Sequence, residues 1–254
     1  VKQIKAVLFD KDGTLLEFNS IWLKVAYELV DAFVEAEGLL QLDKNDLLEQ
    51  LGVSEDGADP NGIIACGTND DIIKLFVTFL QNKGRPKEKA QLSQWVNENI
   101  LTIMKKHQDE IVPVQGVRSL FEKMKKEQLT IGIVTADSLA ATKLFLELFD
   151  LSAYFDFIVT SDTFPVHKPD PLIVTTFCQQ YGIDPMEVAV IGDTPLDLML
   201  AKNGQVGLGI GVLTGTGQRE DLHDLADFVL PSVAQLVDEN DRWIWQKQDC
   251  VVKR

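Results

Sequence analysis

Ile4-Lys5-Ala6-Val7-Leu8-Phe9-Asp10-Lys11-Asp12-Gly13-Thr14 runs from a nearly continuous apolar segment straight into two carboxylates two residues apart. The apolar part reads as a strand buried on both faces, because so little polar alternation leaves no side for water. Positions i and i+2 project the same way from an extended backbone, so Asp10 and Asp12 can face one pocket at the strand's end. Alternating acids before a glycine also occur in calcium-binding loops, and an acidic turn is a third reading of the same residues. A downstream glutamate in register for a calcium loop is missing here.

Working outward, Leu129 to Val134, Val188 to Ile191 and Val206 to Val212 repeat the apolar pattern, and Phe157 to Thr160 and Phe228 to Leu230 are weaker versions of it. Amphipathic helical patterns at residues 116 to 127, 138 to 149, 171 to 181 and 195 to 203 separate them. Buried strands alternating with helices predict an α/β fold, a Rossmann-like doubly wound parallel sheet. One connection is far too long. The first strand ends near Phe9 and the second begins near Leu129, whereas a crossover needs about a dozen residues. An inserted α-helical domain is therefore expected. Ile21, Trp22, Val25, Ala26, Leu29, Val30 and Phe33 recur at helix spacing, with Asn19 or Ser20 placed to cap the start. Residues 70 to 81 and 88 to 107 predict two more helices, broken by Gly84 and Pro86. The Gly, Asp and Asn-rich stretch Ser54 to Asn69 reads as a loop that either reaches an active site or serves as a solvated connector. The expected division is residues 1–16 and 113–237 for the core, 17–112 for the helical cap domain, and 238–254 for a C-terminal extension. Trp243 and Trp245 in that extension are expected to dock on the core or on a neighbouring subunit.

With 254 residues, 45% hydrophobic and 25% charged, the chain can bury a sizeable core. Its formal charge of −15 disfavours nucleic acid as a partner. Cys66, Cys178 and Cys250 match neither a disulfide framework nor a zinc spacing, which points to a reducing compartment. The first residues lack a signal peptide's apolar region, and no stretch is long enough to cross a bilayer. A cytoplasmic protein without membrane contact, a monomer or homodimer, is the expectation.

Ligands of a parallel sheet sit beyond the carboxyl ends of its strands. There the chain places Asp10 and Asp12, then Thr135-Ala136-Asp137-Ser138, then His167-Lys168-Pro169-Asp170-Pro171, and finally Gly192-Asp193-Thr194-Pro195-Leu196-Asp197. Acids, a hydroxyl and a lysine converging on one crevice suit phosphoryl transfer through a magnesium ion. Each residue also has a plain structural reading. Asp197 and Thr194 can form a helix cap, Thr135 or Ser138 can cap the following helix, Lys168 and His167 can be loop residues, and Asp170 reads as an N-cap alone.

In this order and spacing the four segments resemble the motifs of the haloacid dehalogenase-like phosphohydrolases. The insert resembles the cap type shared by phosphoglycolate phosphatases and beta-phosphoglucomutases. The resemblance implies that Asp10 is the nucleophile and Asp12 the proton shuttle, that Thr135 binds a phosphate oxygen, and that Lys168 balances charge. It also implies Mg2+ held by Asp10, the Asp12 backbone carbonyl and Asp193, with Asp197 in support. The expected function is hydrolysis of a small phosphorylated metabolite through an aspartyl-phosphate. A beta-phosphoglucomutase-like phosphotransferase and a non-catalytic phosphate-binding protein are the alternatives. Asp12 and Asp193 disfavour a dehalogenase, whereas Lys24 leaves a phosphonatase open. Leu15-Leu16-Glu17-Phe18 departs from the Asp-Ser continuation usual in the phosphoglycolate enzymes, so the substrate stays open. Phe18, Trp22 and the stretch Cys66 to Asn69 are candidate cap contacts, with core packing as the other reading.

Overall fold

A computed structural model describes residues 3–39 and 44–246. In chain order its elements are β1 (Ala6–Phe9), α1 (Trp22–Ala36), α2 (Lys44–Leu51), β2 (Val53–Ser54), β3 (Gly57–Ala58), α3 (Ile63–Cys66), α4 (Asn69–Asn82), α5 (Lys89–Lys106), α6 (Val117–Lys126), β4 (Thr130–Val134), α7 (Leu139–Leu148), β5 (Phe157–Val159), α8 (Leu172–Tyr181), β6 (Val188–Gly192), α9 (Pro195–Asn203), β7 (Leu208–Val212), α10 (Arg219–Leu222) and β8 (Phe228–Leu230). The main sheet has the order β5-β4-β1-β6-β7-β8, and every neighbouring pair in it is parallel. This is the doubly wound α/β fold. After β1 the chain builds outward on one side through β4 and β5, then on the other through β6, β7 and β8. The carboxyl end of β1 is therefore the topological switch point at which such sheets bind ligands.

Alternation along β1 explains its apolar run. Val7 and Phe9 join a core that includes Phe121 and Ile131, while Ala6 and Leu8 join a second one with Phe157 and Phe177. Both faces are covered by helices, so no residue of β1 is exposed.

Helices α1 to α5 lie between β1 and α6. The chain enters and leaves them side by side: Val114 N–H donates to Leu15 O at 2.9 Å and Glu17 N–H to Val112 O at 2.9 Å. Inside the insert Phe33 of α1 stacks on Phe76 of α4, with ring centroids 3.9 Å apart. Two local expectations are corrected and one helix is added. Neither Asn19 nor Ser20 caps α1: Ser20 Oγ instead donates to Glu17 O at 2.6 Å, within a single 3-10 turn at Phe18–Ser20, and α1 begins behind Ile21. The stretch from Ser54 to Asn69 is not an open loop but contains the tight β2–β3 hairpin and α3. Helix α2 escaped the sequence reading, although Leu47, Leu48 and Leu51, all buried, carry a short helical signal.

The extension docks on the core. Trp243 and Trp245 stack 4.8 Å apart, and Trp243 Nε1 donates to Glu127 Oε2 at 2.6 Å just beyond α6. Residues 247–254 of the expected extension, Cys250 among them, lie outside the described residues. No helix among the described residues is long and apolar enough to cross a membrane.

Candidate active site

The carboxyl edge of the sheet delivers the site. Asp10 N–H donates to Ile191 O at 2.8 Å and Thr135 N–H to Val159 O at 3.0 Å, so both residues continue the ladder before the chain turns away. Asp193 follows β6 directly. A small cavity, about 20 Å³, is walled by Asp10, Asp12, Thr135 and Lys168, with Ala65 and Cys66 of α3 on the insert's side. Three carboxylates, from Asp10, Asp193 and Asp197, lie within 4.8 Å of one another, and all three residues are buried. A larger hollow, about 670 Å³, lies between the starts of α6 and the end of α7 and contains none of these residues.

Lys168 ties the cluster together. Its Nζ sits 2.7 Å from Asp10 Oδ1 and 2.6 Å from Asp197 Oδ1. The Lys168–Pro169 peptide is cis, and Asn203 Nδ2 of α9 holds Pro169 O at 2.9 Å. Asp197 plays two parts at once. Its Oδ2 accepts from Thr194 N at 3.0 Å and Thr194 Oγ1 at 2.6 Å, completing the capping box of α9, while Oδ1 takes Lys168. The structural and the chemical readings of this residue are therefore compatible, because each uses a different oxygen. Of the two candidates to cap α7, Ser138 does so, accepting from Ala141 N at 3.3 Å. Thr135 Oγ1 accepts from Asp137 N at 3.1 Å, which leaves its proton to donate. Asp170 Oδ1 accepts from Leu172 N at 2.8 Å, one residue before the N-cap position of α8, which Pro171 holds.

Asp193 is held by elements that sequence reasoning overlooked. Thr216 N–H reaches its Oδ2 at 2.9 Å and Thr14 Oγ1 its Oδ1 at 3.3 Å. Thr214 Oγ1 donates to Gly13 O at 2.6 Å, joining the loop after β7 to the turn after β1. Gly13 has φ +81°, and a Cβ there would fall 2.5 Å from Asp193 Oδ2, so the turn needs glycine on both counts. Repeated threonine and glycine in Leu213 to Gly217 was the available signal.

Lys11 is the larger omission. Its side chain is 0% exposed, with Nζ 2.6 Å from Asp12 Oδ1 and 2.9 Å from Asp137 Oδ2, and 5.9 Å from the centre of the Phe145 ring. Asp12 thus points Oδ1 at Lys11 and is not among the three clustered acids. A lysine between two acids reads as a surface charge in sequence. Only the packing of α7 against the turn reveals it as buried.

Burial dominates the electrostatics. It pushes the Asp10 carboxyl up to about 7 against the pull of Lys168, with the Asp197 and Asp12 charges adding to the rise. Burial likewise raises Asp193 well above the ordinary carboxylate range, helped by Asp10 and Asp197. Burial pulls Lys168 down, but the Asp10 and Asp197 carboxylates outweigh it and keep the ammonium charged. Three buried carboxylates share one ammonium, and such an oxygen donor set suits a small hard cation, which would offset the excess negative charge. Lys24 plays no part: it pairs with Glu110 in a half-exposed position.

The class follows from both geometry and comparison. The model of the haloacid dehalogenase-like hydrolases matches residues 4–205, and the chain belongs to that family. It is an enzyme of the family's phosphatase kind. Among its relatives, the phosphoglycolate phosphatase of Chromobacterium violaceum is 26% identical over 239 residues, 94% of this chain and 97% of its own. Pyrophosphatase PpaX of Bacillus velezensis is 26% identical over 206 residues, 80% of each chain. The crystal structure of CbbY from Rhodobacter sphaeroides in complex with phosphate has the same fold, with a TM-score of 0.64 at 21% identity, covering 92% of this chain and 96% of that one.

Proposed function

We propose that the chain is a magnesium-dependent phosphatase that hydrolyses a small phosphorylated metabolite through an aspartyl-phosphate on Asp10. The observation that carries this reading is the single cavity walled by Asp10, Asp12, Thr135 and Lys168, next to the acids Asp193 and Asp197. Asp10 attacks phosphorus and the bond to the leaving oxygen breaks, while Asp12 delivers a proton to that oxygen. Asp12, now a carboxylate, takes a proton from the water that cleaves the acyl-phosphate, which frees phosphate and restores both acids. Lys11 fixes Asp12 Oδ1, so the proton traffic falls to Oδ2. Thr135 donates its hydroxyl to a phosphate oxygen, and the backbone N–H groups after Asp10 share that task. Lys168 keeps Asp10 oriented and balances charge as the phosphoryl group moves. Asp10, Asp193 and the Asp12 carbonyl would hold magnesium, with Asp197 behind them, and the ion would supply the positive charge that lets an anionic nucleophile meet an anionic substrate.

The helices of residues 17–112 act as a cap in this reading. Ala65 and Cys66 already reach the cavity, and closure would exclude bulk water from the acyl-phosphate until the hydrolytic step. Phosphate release from a panel of phosphate esters with magnesium, lost in Asp10→Asn, tests the proposal. Interconversion of hexose phosphates without net phosphate release would replace it with the mutase alternative.

A further inference from the structure

Asp137 is the buried acid to which the reaction above gives no part. Its side chain is 1% exposed, and it is not among the residues that wall the cavity of Asp10, Asp12, Thr135 and Lys168. Its two carboxylate oxygens have separate tasks. Oδ1 accepts from Ser138 N at 2.6 Å, just before α7, and Oδ2 lies 2.9 Å from Lys11 Nζ. The main chain of the same residue is pinned on both sides. Its N–H donates to Thr135 Oγ1 at 3.1 Å, and its carbonyl accepts from Ser161 N at 2.9 Å and Ser161 Oγ at 3.2 Å. Ser161 belongs to the segment that runs from β5 to Lys168. Asp137 is therefore held by α7 and by the segment after β5 before it meets Lys11.

Lys11 has a long, flexible stem, and among the described residues its ion-pair partners are Asp12 and Asp137. Of these three charged side chains, Asp12 alone lines the catalytic cavity. Support thus passes from the rigid Asp137 through the Lys11 ammonium to Asp12 Oδ1, which receives it at 2.6 Å. Asparagine at position 137 would have one carbonyl oxygen where aspartate has two acceptors, so it can serve Ser138 N–H or Lys11 but not both. It would also leave Lys11 and Asp12 as a matched pair of charges, with no ion stranded in the interior.

Resting on the phosphatase reading, we propose that Asp137 is a positioning residue for departure of the leaving group: through Lys11 it keeps the Asp12 carboxyl turned so that Oδ2 faces the leaving oxygen. In that step Asp10 bonds to phosphorus, the bond from phosphorus to the leaving oxygen breaks, and the Asp12 proton passes to that oxygen. An alcohol such as ethanol must take up the proton as the bond breaks, whereas p-nitrophenol leaves as its anion and gains little from it. Asp137 accordingly sets how well the enzyme cleaves alkyl phosphates relative to activated aryl phosphates. Phosphate binding is spared, because the contact from position 137 to Thr135 is made by the main chain.

The test measures kcat/KM for ethyl phosphate and p-nitrophenyl phosphate, and inhibition by inorganic phosphate, using the full chain with magnesium. kcat/KM extends only to departure of the leaving group, so it separates this proton transfer from the later hydrolysis of the acyl-phosphate. Asp137→Asn is expected to lower kcat/KM for ethyl phosphate by about 10-fold or more and for p-nitrophenyl phosphate by about 2-fold or less, with inhibition by phosphate unchanged. Asp137→Ala, which offers Lys11 no acceptor, should show the same selective loss, and it keeps the test open if the amide disturbs the start of α7. Equal loss on both esters, or no loss on either, overturns the inference. Weakened inhibition by phosphate also overturns it, since Asp137 would then support the whole site rather than Asp12. A parent enzyme that releases phosphate from neither ester overturns the phosphatase reading with it.

Discussion

Replacing Lys11 by methionine keeps most of the side chain's volume and removes only the ammonium. That ammonium links two acids, at 2.6 Å from Asp12 and 2.9 Å from Asp137, in a place with no solvent exposure. Burial by itself would pull the Lys11 ammonium down, but the two carboxylates more than compensate, so the charge is fully present at neutral pH. Removing one partner of a buried ion pair costs about 3–5 kcal/mol, because the remaining charge keeps its desolvation penalty. For a chain of this size each kcal/mol moves Tm by about 2–4 °C, so a drop of roughly 6–20 °C is expected by calorimetry. Adding Asp137→Asn removes the stranded charge and should recover a good part of that loss, a coupling of about 1.5–3 kcal/mol in the double-mutant cycle. Activity should not recover with it, because Asp12 would still lack the contact that orients it; kcat is expected to stay about 10-fold or more below the parent while KM changes little. A Lys11→Met protein with Tm and kcat both unchanged would refute the argument. A double variant as unstable as the single one would show that Asp137 is not the group left stranded.

Asp10→Asn should fold normally yet release no phosphate, seen as an unchanged circular dichroism spectrum beside a colorimetric phosphate assay; residual turnover would remove Asp10 from the nucleophile's role. Chelation by EDTA should abolish activity and added magnesium restore it, while Gly215→Ala, whose new Cβ would overlap the Asp193 carboxylate, should raise the magnesium concentration for half-maximal rate by about 10-fold or more. At the extension, burial pushes the Glu127 carboxyl up, but Lys123 and the Trp243 N–H outweigh it and hold it below its ordinary value of 4.5. A lowered carboxyl stabilises the fold above its ordinary value and loses that contribution as pH falls through the lowered one. Indole emission should accordingly shift to the red on acidification below about pH 4.5, and Glu127→Gln should lack that component. Glu127→Ala should cost about 1–3 kcal/mol in urea unfolding, by leaving the Trp243 donor without its acceptor.

The α/β class and the helical insertion were legible because they rest on local periodicity. Apolar runs such as Ala6–Phe9 mark strands covered on both faces, and the distance from Phe9 to Leu129 is too long for a single crossover. That Asp10, Thr135 and Asp193 meet at one edge was legible because each directly follows a strand, whereas Lys168 stands in the long loop between β5 and α8 and was singled out by the motif resemblance. The reading of Ser54 to Asn69 as a loop failed, since its glycines and aspartates serve a tight hairpin and a one-turn helix that propensity alone does not separate from coil. Asn19 and Ser20 have the right side chains for a cap, but the 3-10 turn at Phe18–Ser20 takes that stretch and Ser20's hydroxyl goes to Glu17.

The amino-acid sequence by itself determined the strand and helix pattern, the place of the insertion and the row of polar residues at the strand ends. All of these depend on neighbours within a few positions. Tertiary structure alone decided that Lys11 is an interior cation and that Thr216 and Thr14 grip Asp193. The physical reason is burial: charge and hydrogen bonding become decisive only where water is excluded, and exclusion is produced by segments far apart in the chain.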